Sequence, residues 1–299
     1  MSPVPADGRH HDTTREEAPM TVVTTDLLDR PDARITFDVR GTGPLLVLVG
    51  SPMGAEGFGP LADAMADDHT VVTFDPRGTG RSPADDPDTD STVALRAADL
   101  AALVEHVGGA PVTLFGSSGG AVVSLALAQE RPELVGVVVA HEPPLEELLP
   151  DAAEHRAATE QIIGTYREQG AAAAWALFLA SAGLPGAAPD DAAQSAADDA
   201  GLPATDGDAT AQQAADERHF FLHEMRETVR WRPDPQRLRG RRVVVGIGSA
   251  SAGQICDRTS RALAAELGRD PEPFPGGHVG WLEDPAGFVA RLREVLART

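Results

Sequence analysis

Short apolar runs alternate with helical patterns through most of this chain. After a first strand-like run, ITFDVR from Ile35, five runs are nearly continuous in valine and leucine: LLVLV from Leu45, TVVTF from Thr70, VTLF from Val112, VGVVVA from Val135 and RVVVGI from Arg242. Such runs are typical of parallel strands that are covered on both faces. Helical segments such as VALRAADLAALVEHV and AVVSLALAQERP lie between them. Strands that alternate with helices predict an α/β fold with a mostly parallel, doubly wound sheet.

Residues 145–235 break this alternation. The sequence there has no convincing strand pattern, and two helical patterns flank a tract rich in alanine and aspartate that begins at Pro185. We expect this region to form a helical lid over the carboxyl ends of the strands, with a loose middle. The alternative is an insertion that only packs on the core. Residues 21–144 and 236–299 would then form two parts of one α/β core, and the polar residues 1–20 a disordered tail.

Composition excludes several classes of function. The formal net charge is −21 and all 25 basic residues are arginine, so the chain offers neither a basic nucleic-acid surface nor a lysine for Schiff-base chemistry. The sequence has no apolar run near the roughly 20 residues of a membrane span, and its first residues lack the apolar core of a signal peptide. The single cysteine, Cys256, cannot form an internal disulfide. We therefore expect a cytoplasmic protein in which this thiol is buried rather than nucleophilic.

The stretch GSSGG follows the run VTLF and precedes a helical pattern. A nucleophilic serine at the strained tip of a strand-to-helix turn needs small residues two positions away on either side. Ser118 has Gly116 and Gly120 at these positions, whereas the preceding serine would have Phe115 on one side. We therefore predict Ser118 as the nucleophile, with the amide of Gly119 at the start of the helix stabilising negative charge. The alternative is a glycine-rich turn that only allows close packing.

Among nine histidines, His278 is the strongest candidate for a base. It follows the strand-like segment PEPF and two glycines, and it precedes a final amphipathic helix, so a loop could bring its ring to the serine turn. A surface-loop histidine is the alternative. His219 and His223 share one face of a predicted helix, but no third ligand follows at a recognisable metal-site spacing. We predict packing or pocket lining for these two histidines and no metal site.

Three motifs in this order resemble the α/β-hydrolase fold superfamily: FDPRGTGRS from Phe74, FGSSGG from Phe115 and FPGGHVGWLEDP from Phe274. The resemblance covers the chain from about Val22 to the end. The pattern is similar to the esterase- and haloperoxidase-like branch, in which a helical lid follows the sixth strand. The resemblance implies acyl chemistry by a serine and a histidine, without a cofactor.

The resemblance also implies a second donor to the oxyanion, from the loop after the third strand. That loop reads VGSPMG, and Val49 replaces a histidine that many relatives carry. The role requires only a backbone N–H, which Pro52 lacks. We expect the amide of Ser51 to serve, with Met53 as the alternative if the register shifts.

The acid that usually partners the histidine is missing from its usual place. Relatives carry an aspartate after the seventh strand, but that position falls near Ala250 or Ser251 here, and Asp257 lies further on. Glu142 follows the sixth strand, where haloalkane dehalogenases and certain lactone hydrolases carry their acid. We expect Glu142 to orient His278 and stabilise its protonated form. A loop carboxylate that caps the lid and a site without any acid are the alternatives.

These residues together predict a cofactor-free serine hydrolase that cleaves a small ester or lactone. Aromatic and apolar residues of the helical region are expected to line the substrate pocket, although ordinary packing explains each of them equally well: Trp175, Phe178, Phe220, Phe221 and Met225. One alternative is a non-hydrolytic enzyme of the same fold, such as a perhydrolase or a cyclase. Another is a catalytically inactive protein that binds a small molecule.

Overall fold

The computed structural model describes residues 22–184 and 207–299, and its centre is an eight-stranded sheet. The strands are β1 Val23–Arg30, β2 Ala33–Arg40, β3 Leu45–Val49, β4 Thr70–Phe74, β5 Val112–Ser117, β6 Val135–His141, β7 Arg242–Gly248 and β8 Glu272–Phe274. Their order across the sheet is β1-β2-β4-β3-β5-β6-β7-β8. β2 is antiparallel to β1 and β4, and every other neighbouring pair is parallel. The predicted mostly parallel α/β sheet is confirmed.

Helices cover both faces of the sheet. They are α1 Gly59–Met65, α2 Val93–Val107, α3 Gly119–Glu130, α4 Ala152–Gln169, α5 Ala171–Ala182, α6 Gly207–His219, α7 Met225–Val229, α8 Pro235–Leu238, α9 Ile255–Leu267, α10 Gly280–Glu283 and α11 Pro285–Ala297, with short 3₁₀ turns at Ala55–Phe58 and Glu146–Leu148. Leu114 of β5 packs with α2 and α3, whereas its neighbour Phe115 packs with α1 and α11 on the other face. This alternation is the normal consequence of strand geometry. None of the described helices combines the length and apolar character that crossing a membrane requires.

The described residues of the connection from β6 to β7 form helices joined by turns and loops, without a strand. A single helical pattern predicted from the sequence is divided into α4 and α5 at Gly170, whose φ of 89° breaks a right-handed helix. A turn of π-helix, Phe220–Glu224, joins α6 to α7. Most of the alanine- and aspartate-rich tract and the predicted N-terminal tail lie outside the described residues, and the role of this region as a lid stays a prediction.

The carboxyl ends of the parallel strands gather the predicted site residues. Ser51 follows β3, Ser118 follows β5, Glu142 follows β6 and His278 follows β8. Because β5 lies between β3 and β6, Ser118 has Ser51 on one side and Glu142 on the other. Ligands of open α/β sheets bind at this edge.

Candidate active site

Ser118 occupies the turn between β5 and α3. Its backbone has φ 54° and ψ −126°, a conformation that is strained for any residue with a Cβ. The turn is held because the Ser118 N–H donates to the carbonyl oxygen of His141 at 2.9 Å, and the Ser118 carbonyl accepts from the Ala121 N–H at 3.0 Å. Strain at a serine that also lines a cavity is typical of an active site.

The glycines on either side of Ser118 are required by contact distances. A Cβ on Gly116 would lie 2.5 Å from Ser124 Oγ, and a Cβ on Gly120 would lie 1.9 Å from the carbonyl oxygen of Val49. Neither position could hold a larger residue unless the backbone moved. The glycines thus allow α3 to start immediately against β3 and β5, which places its amino end beneath the serine.

Gly119, the residue after Ser118, packs closely against Ser51 in the loop that follows β3. A Cβ on Gly119 would lie 2.5 Å from Oγ and 2.9 Å from the carbonyl oxygen of Ser51. Within residues 22–184 and 207–299, the backbone N–H groups of Ser51 and Gly119 donate to no protein acceptor. Gly119 also begins α3, and the amino end of a helix carries partial positive charge. Two free N–H groups placed in this way can stabilise an oxyanion.

His278 and Glu142 meet in a short hydrogen bond. His278 Nδ1 lies 2.6 Å from Glu142 Oε2, and the Gly248 N–H donates to Glu142 Oε1 at 2.8 Å. Glu142 is fully buried, and its φ of 52° makes it another strained non-glycine residue at this edge. Burial opposes ionisation, but the hydrogen bond and the charge of His278 outweigh it and lower the pKa of Glu142 to about 2. The carboxylate is therefore ionised at neutral pH.

Cys256 is a neighbour of His278 that the sequence did not indicate. Burial alone would lower the pKa of His278, but the hydrogen bond and the charge of Glu142, together with hydrogen bonding to Cys256, hold this pKa well above its ordinary value of 6.5. Of the two neighbours, Glu142 carries its charge at neutral pH, because burial raises the pKa of the Cys256 thiol. The thiol is buried, as predicted, yet it also lines the cavity.

The same three residues are a possible set of metal ligands. Glu142, Cys256 and His278 each offer one ligand atom, and these atoms lie within 4.8 Å of one another. Carboxylate, thiolate and imidazole groups are ligands that Zn²⁺ accepts. Both oxygens of Glu142 already accept hydrogen bonds, one from His278 itself. A metal ion would therefore have to replace the contact that orients the histidine.

The other positions considered for the acid supply no free carboxylate. Ser251 is fully buried, and it has no carboxylate. Asp257 Oδ2 accepts from the Gly253 N–H at 3.0 Å, and its Oδ1 accepts from Arg261 Nε at 2.8 Å. The carboxylate of Asp257 therefore serves the first turn of α9, and Glu142 is the carboxylate that reaches His278.

A cavity joins these groups to the helical region. Its empty space, including the open mouth, is about 740 Å³. Its lining includes Ser51, Ser118, Gly119, Cys256 and His278 at the sheet edge, and Phe178, Phe220, Glu224 and Met225 from the helical region. The predicted pocket residues Trp175 and Phe221 do not line it. They lie in an aromatic cluster behind the cavity wall, where the Trp175 ring stacks on Phe220 at 5.3 Å.

A buried ion pair lies beside the oxyanion residues, and no sequence pattern pointed to it. Arg96 of α2 and Glu224 at the end of the π-helix are 4 % and 1 % exposed. Arg96 Nη1 lies 3.3 Å from Glu224 Oε1 and donates to Ser51 Oγ at 2.7 Å. Ser51 Oγ in turn donates to Glu224 Oε1. The pair therefore fixes the loop that carries the Ser51 amide.

Three other histidines have surroundings that separate them from His278. His141 is fully buried among Phe115, Phe274, Trp281 and Phe288, and burial lowers its pKa to about 4, so its ring is a neutral part of the core. The rings of His219 and His223 lie 6.0 Å apart, and His223 Nδ1 lies 3.1 Å from Asp90 Oδ1.

Comparison with known proteins places the chain in a family. Residues 45–291 match the model of the alpha/beta hydrolase family, and the chain belongs to that family. The three motifs that predicted this resemblance all fall within the matched range, and so do Ser118, Glu142 and His278.

Individual relatives agree with this assignment. The uncharacterized hydrolase YraK of Bacillus subtilis strain 168 is 39% identical over 123 residues, which are 41% of this chain and 45% of that protein, so the match spans less than half of the relative. A thermophilic esterase from Thermogutta terrifontis has a TM-score of 0.67 at 20% identity, covering 93% of this chain and 98% of its own. The enol-lactonase of Burkholderia xenovorans LB400 has a TM-score of 0.64 at 17% identity, covering 91% and 100%. Both structures share the fold of this protein.

Proposed function

We propose that this protein is a cofactor-free serine hydrolase that cleaves a carboxylic ester or a lactone. One observation carries the proposal: Ser118, on a strained turn, shares a cavity with His278, whose ring is held at 2.6 Å by the buried carboxylate of Glu142. A hydroxyl group becomes a nucleophile when a base takes its proton and donors stabilise the oxyanion. The chain offers a nucleophile, a base and two oxyanion donors for these tasks at a single edge of its sheet.

The reaction begins when Ser118 Oγ attacks the carbonyl carbon of the substrate and its proton passes to His278 Nε2. Glu142 stabilises the resulting imidazolium, and the amides of Ser51 and Gly119 stabilise the oxyanion. His278 then donates the proton to the leaving oxygen, and an acyl-serine remains. Water attacks that acyl group while His278 accepts a proton from the water, and the carboxylic acid is released from Ser118.

One movement accompanies substrate binding. Among the described residues, Ser118 Oγ has no hydrogen-bond partner. Hydrogen bonds of catalytic groups are often long in the free enzyme and shorten in the complex. We expect the serine and the imidazole to come within hydrogen-bonding distance when a substrate fills the cavity.

The lining of the cavity supports a small, largely apolar substrate. Phe178, Phe220 and Met225 give apolar lining to the cavity that holds Ser118 and His278. We assign the helical region from α4 to α7 the role of a lid, because it supplies this lining. An esterase and an enol-lactonase among the structural neighbours fit this substrate class.

Turnover of p-nitrophenyl esters and of lactones tests the proposal. Ser118→Ala is expected to reduce kcat by a factor of about 10⁴ or more, because the nucleophile is lost. Ser117→Ala is the matched control, since the buried Ser117 Oγ lies 3.3 Å from His141 Nδ1 and does not line the cavity. Folding of both variants is checked by circular dichroism. Wild-type turnover by folded Ser118→Ala would overturn the proposal.

A further inference from the structure

The ion pair of Arg96 and Glu224 leaves one carboxylate oxygen unused. Oε1 of Glu224 interacts with Arg96 and Ser51, whereas Oε2 is buried and has no hydrogen-bond partner among the described residues. His219 Nε2 lies 4.0 Å from Oε2, and this nitrogen is also buried without a partner among the described residues. A buried carboxylate oxygen without a partner is costly, and such a group in a native structure calls for an explanation.

The position of Glu224 supplies that explanation. Glu224 lines the cavity that holds Ser118 and His278. It ends the turn of π-helix at Phe220–Glu224, and π-helical turns recur at functional sites. An oxygen atom that forms hydrogen bonds of about 2.8 Å can bridge two atoms 4.0 Å apart. The distance between Glu224 Oε2 and His219 Nε2 therefore allows one hydroxyl oxygen, placed beside both atoms, to form a hydrogen bond to each.

Charge favours a hydroxyl over an ammonium group. The charges of Arg96 and Glu224 cancel, and burial lowers the pKa of His219, so that its ring is neutral. An ammonium ion would add an uncompensated charge to this buried network. A hydroxyl is neutral, can donate to Glu224 Oε2 and can accept from an N–H at His219 Nε2.

The order of the strands indicates which part of the substrate carries this hydroxyl. Ser51 and its partner Glu224 lie on the β3 side of Ser118, whereas Glu142 and His278 lie on the β6 side. The leaving oxygen must face His278, because it receives the proton from that ring. The acyl chain then extends toward Glu224.

We propose that Glu224, with His219 behind it, binds a hydroxyl group on the acyl chain of the substrate, close to the scissile carbonyl. The preferred substrates are then esters or lactones of short hydroxy acids. This inference rests on the proposed hydrolase function, and it adds a specificity-determining residue that takes no part in the proton transfers.

Matched ethyl esters test the inference. They are butyrate, its 2-hydroxy and 3-hydroxy derivatives, the corresponding methoxy derivatives, which accept but cannot donate a hydrogen bond, and 3-aminobutyrate. Hydrolysis is followed by pH-stat titration. For the wild type we expect kcat/KM for one hydroxy ester to exceed that of butyrate and of the methoxy ester by about tenfold or more, the effect of one buried hydrogen bond to a charged group.

Variants link this preference to the residue. Glu224→Gln is expected to remove most of the preference for the hydroxy ester, because the neutral amide is a weaker acceptor. Glu227→Gln is the matched control, because it removes a charge three residues away and outside the cavity lining. In this variant the preference for the hydroxy ester should persist. His219→Gln supplies a second test if Glu224→Gln does not fold, and it should also lower this preference.

The possible failures are distinguishable. The ratio in question is kcat/KM for the hydroxy ester divided by kcat/KM for butyrate. A value near one in the wild type contradicts the inference without reference to any variant. An undiminished value in folded Glu224→Gln contradicts it as well. A higher kcat/KM for 3-aminobutyrate than for both hydroxy esters would overturn the choice of a hydroxyl. If Ser118→Ala hydrolyses these esters as fast as the wild type, or if no ester is hydrolysed, the proposed function itself fails. If Ser118→Ala is inactive and the wild-type ratio is one, only this inference fails.

Discussion

Glu142 and His278 are 136 positions apart in the chain, yet Glu142 Oε2 and His278 Nδ1 lie 2.6 Å apart at the carboxyl edge of the sheet. The contact joins the end of β6 to the loop after β8. It also determines which nitrogen of His278 is free, because a proton held at Nδ1 leaves Nε2 as the acceptor. A base with its free nitrogen directed to the nucleophile is what the proposed reaction requires.

Replacing Glu142 tests the role of this contact. Glu142→Gln should lower kcat by a factor of about 10²–10⁴, because the amide can neither hold the same tautomer nor stabilise the imidazolium. The measurement is steady-state hydrolysis of a p-nitrophenyl ester. Glu147→Gln is the control, since Glu147 pairs with Arg156 and lies outside the cavity lining. Wild-type turnover in Glu142→Gln would remove Glu142 from the mechanism.

The pKa of His278 predicts a pH profile. The ring acts as a base only when it is neutral, so kcat/KM should rise with pH through a pKa well above 6.5, while Glu142 stays ionised throughout. In Glu142→Gln the rise should move to lower pH, since the negative charge is gone. A wild-type profile that is already flat from pH 6.5 upward would contradict this prediction.

The raised pKa of His278 also predicts how this residue contributes to the stability of the fold. Its pKa is higher in the folded than in the unfolded protein, so the protonated ring stabilises the fold. This contribution is fully present below pH 6.5 and disappears as the pH rises through the folded-state pKa. Urea denaturation of the wild type and His278→Gln at several pH values measures it. A difference between the two proteins that grows with rising pH would contradict the assignment.

The position of Cys256 predicts sensitivity to thiol reagents. Methyl methanethiosulfonate converts the thiol to a methyl disulfide with loss of methanesulfinate, and the added group would enter the cavity beside His278. We expect slow inactivation, because burial raises the pKa of the thiol and the thiolate is the reactive form. Cys256→Ala should be active and resistant. Full activity after stoichiometric modification, confirmed by intact mass, would contradict this prediction.

Arg96 should contribute to stability as well as to the site. Arg96→Met leaves Glu224 charged and buried without its partner, which should lower the free energy of unfolding by about 3–5 kcal/mol. Arg237→Met is the control, because it breaks an exposed pair with Glu130 and should cost less than about 1 kcal/mol. Urea denaturation at neutral pH measures both. Equal losses of unfolding free energy in the two variants would show that the buried pair stabilises the fold no more than the exposed pair does.

Much of the fold was predictable because burial on both faces of a sheet leaves continuous apolar runs. The strands β2 to β7 follow from these runs. β1 was not predicted from the sequence: it pairs only with β2 at the edge of the sheet, and most of its side chains are exposed, so VTTDLLDR carries no apolar pattern. Short β8 appeared only as the strand-like segment PEPF.

The candidate site was predictable where local geometry demands a residue type. Glycines flank Ser118 because a Cβ at either position would clash, and the sequence GSSGG shows this requirement directly. The contact of Arg96 with Glu224 joins positions 128 apart, and no local pattern around either residue indicates the other. The neighbourhood of Cys256 and His278 likewise depends on how α9 packs against β7, the strand next to β8. Catalytic roles for all of these residues remain predictions.

Covalent labelling of the serine tests the central claim most directly. A fluorophosphonate reacts with an activated serine by loss of fluoride, and the adduct is stable enough for intact-mass measurement and peptide mapping. The account predicts one adduct per chain, located on Ser118, and no adduct in Ser118→Ala. A folded wild-type protein that gains no mass, or gains it at another residue, would contradict the account.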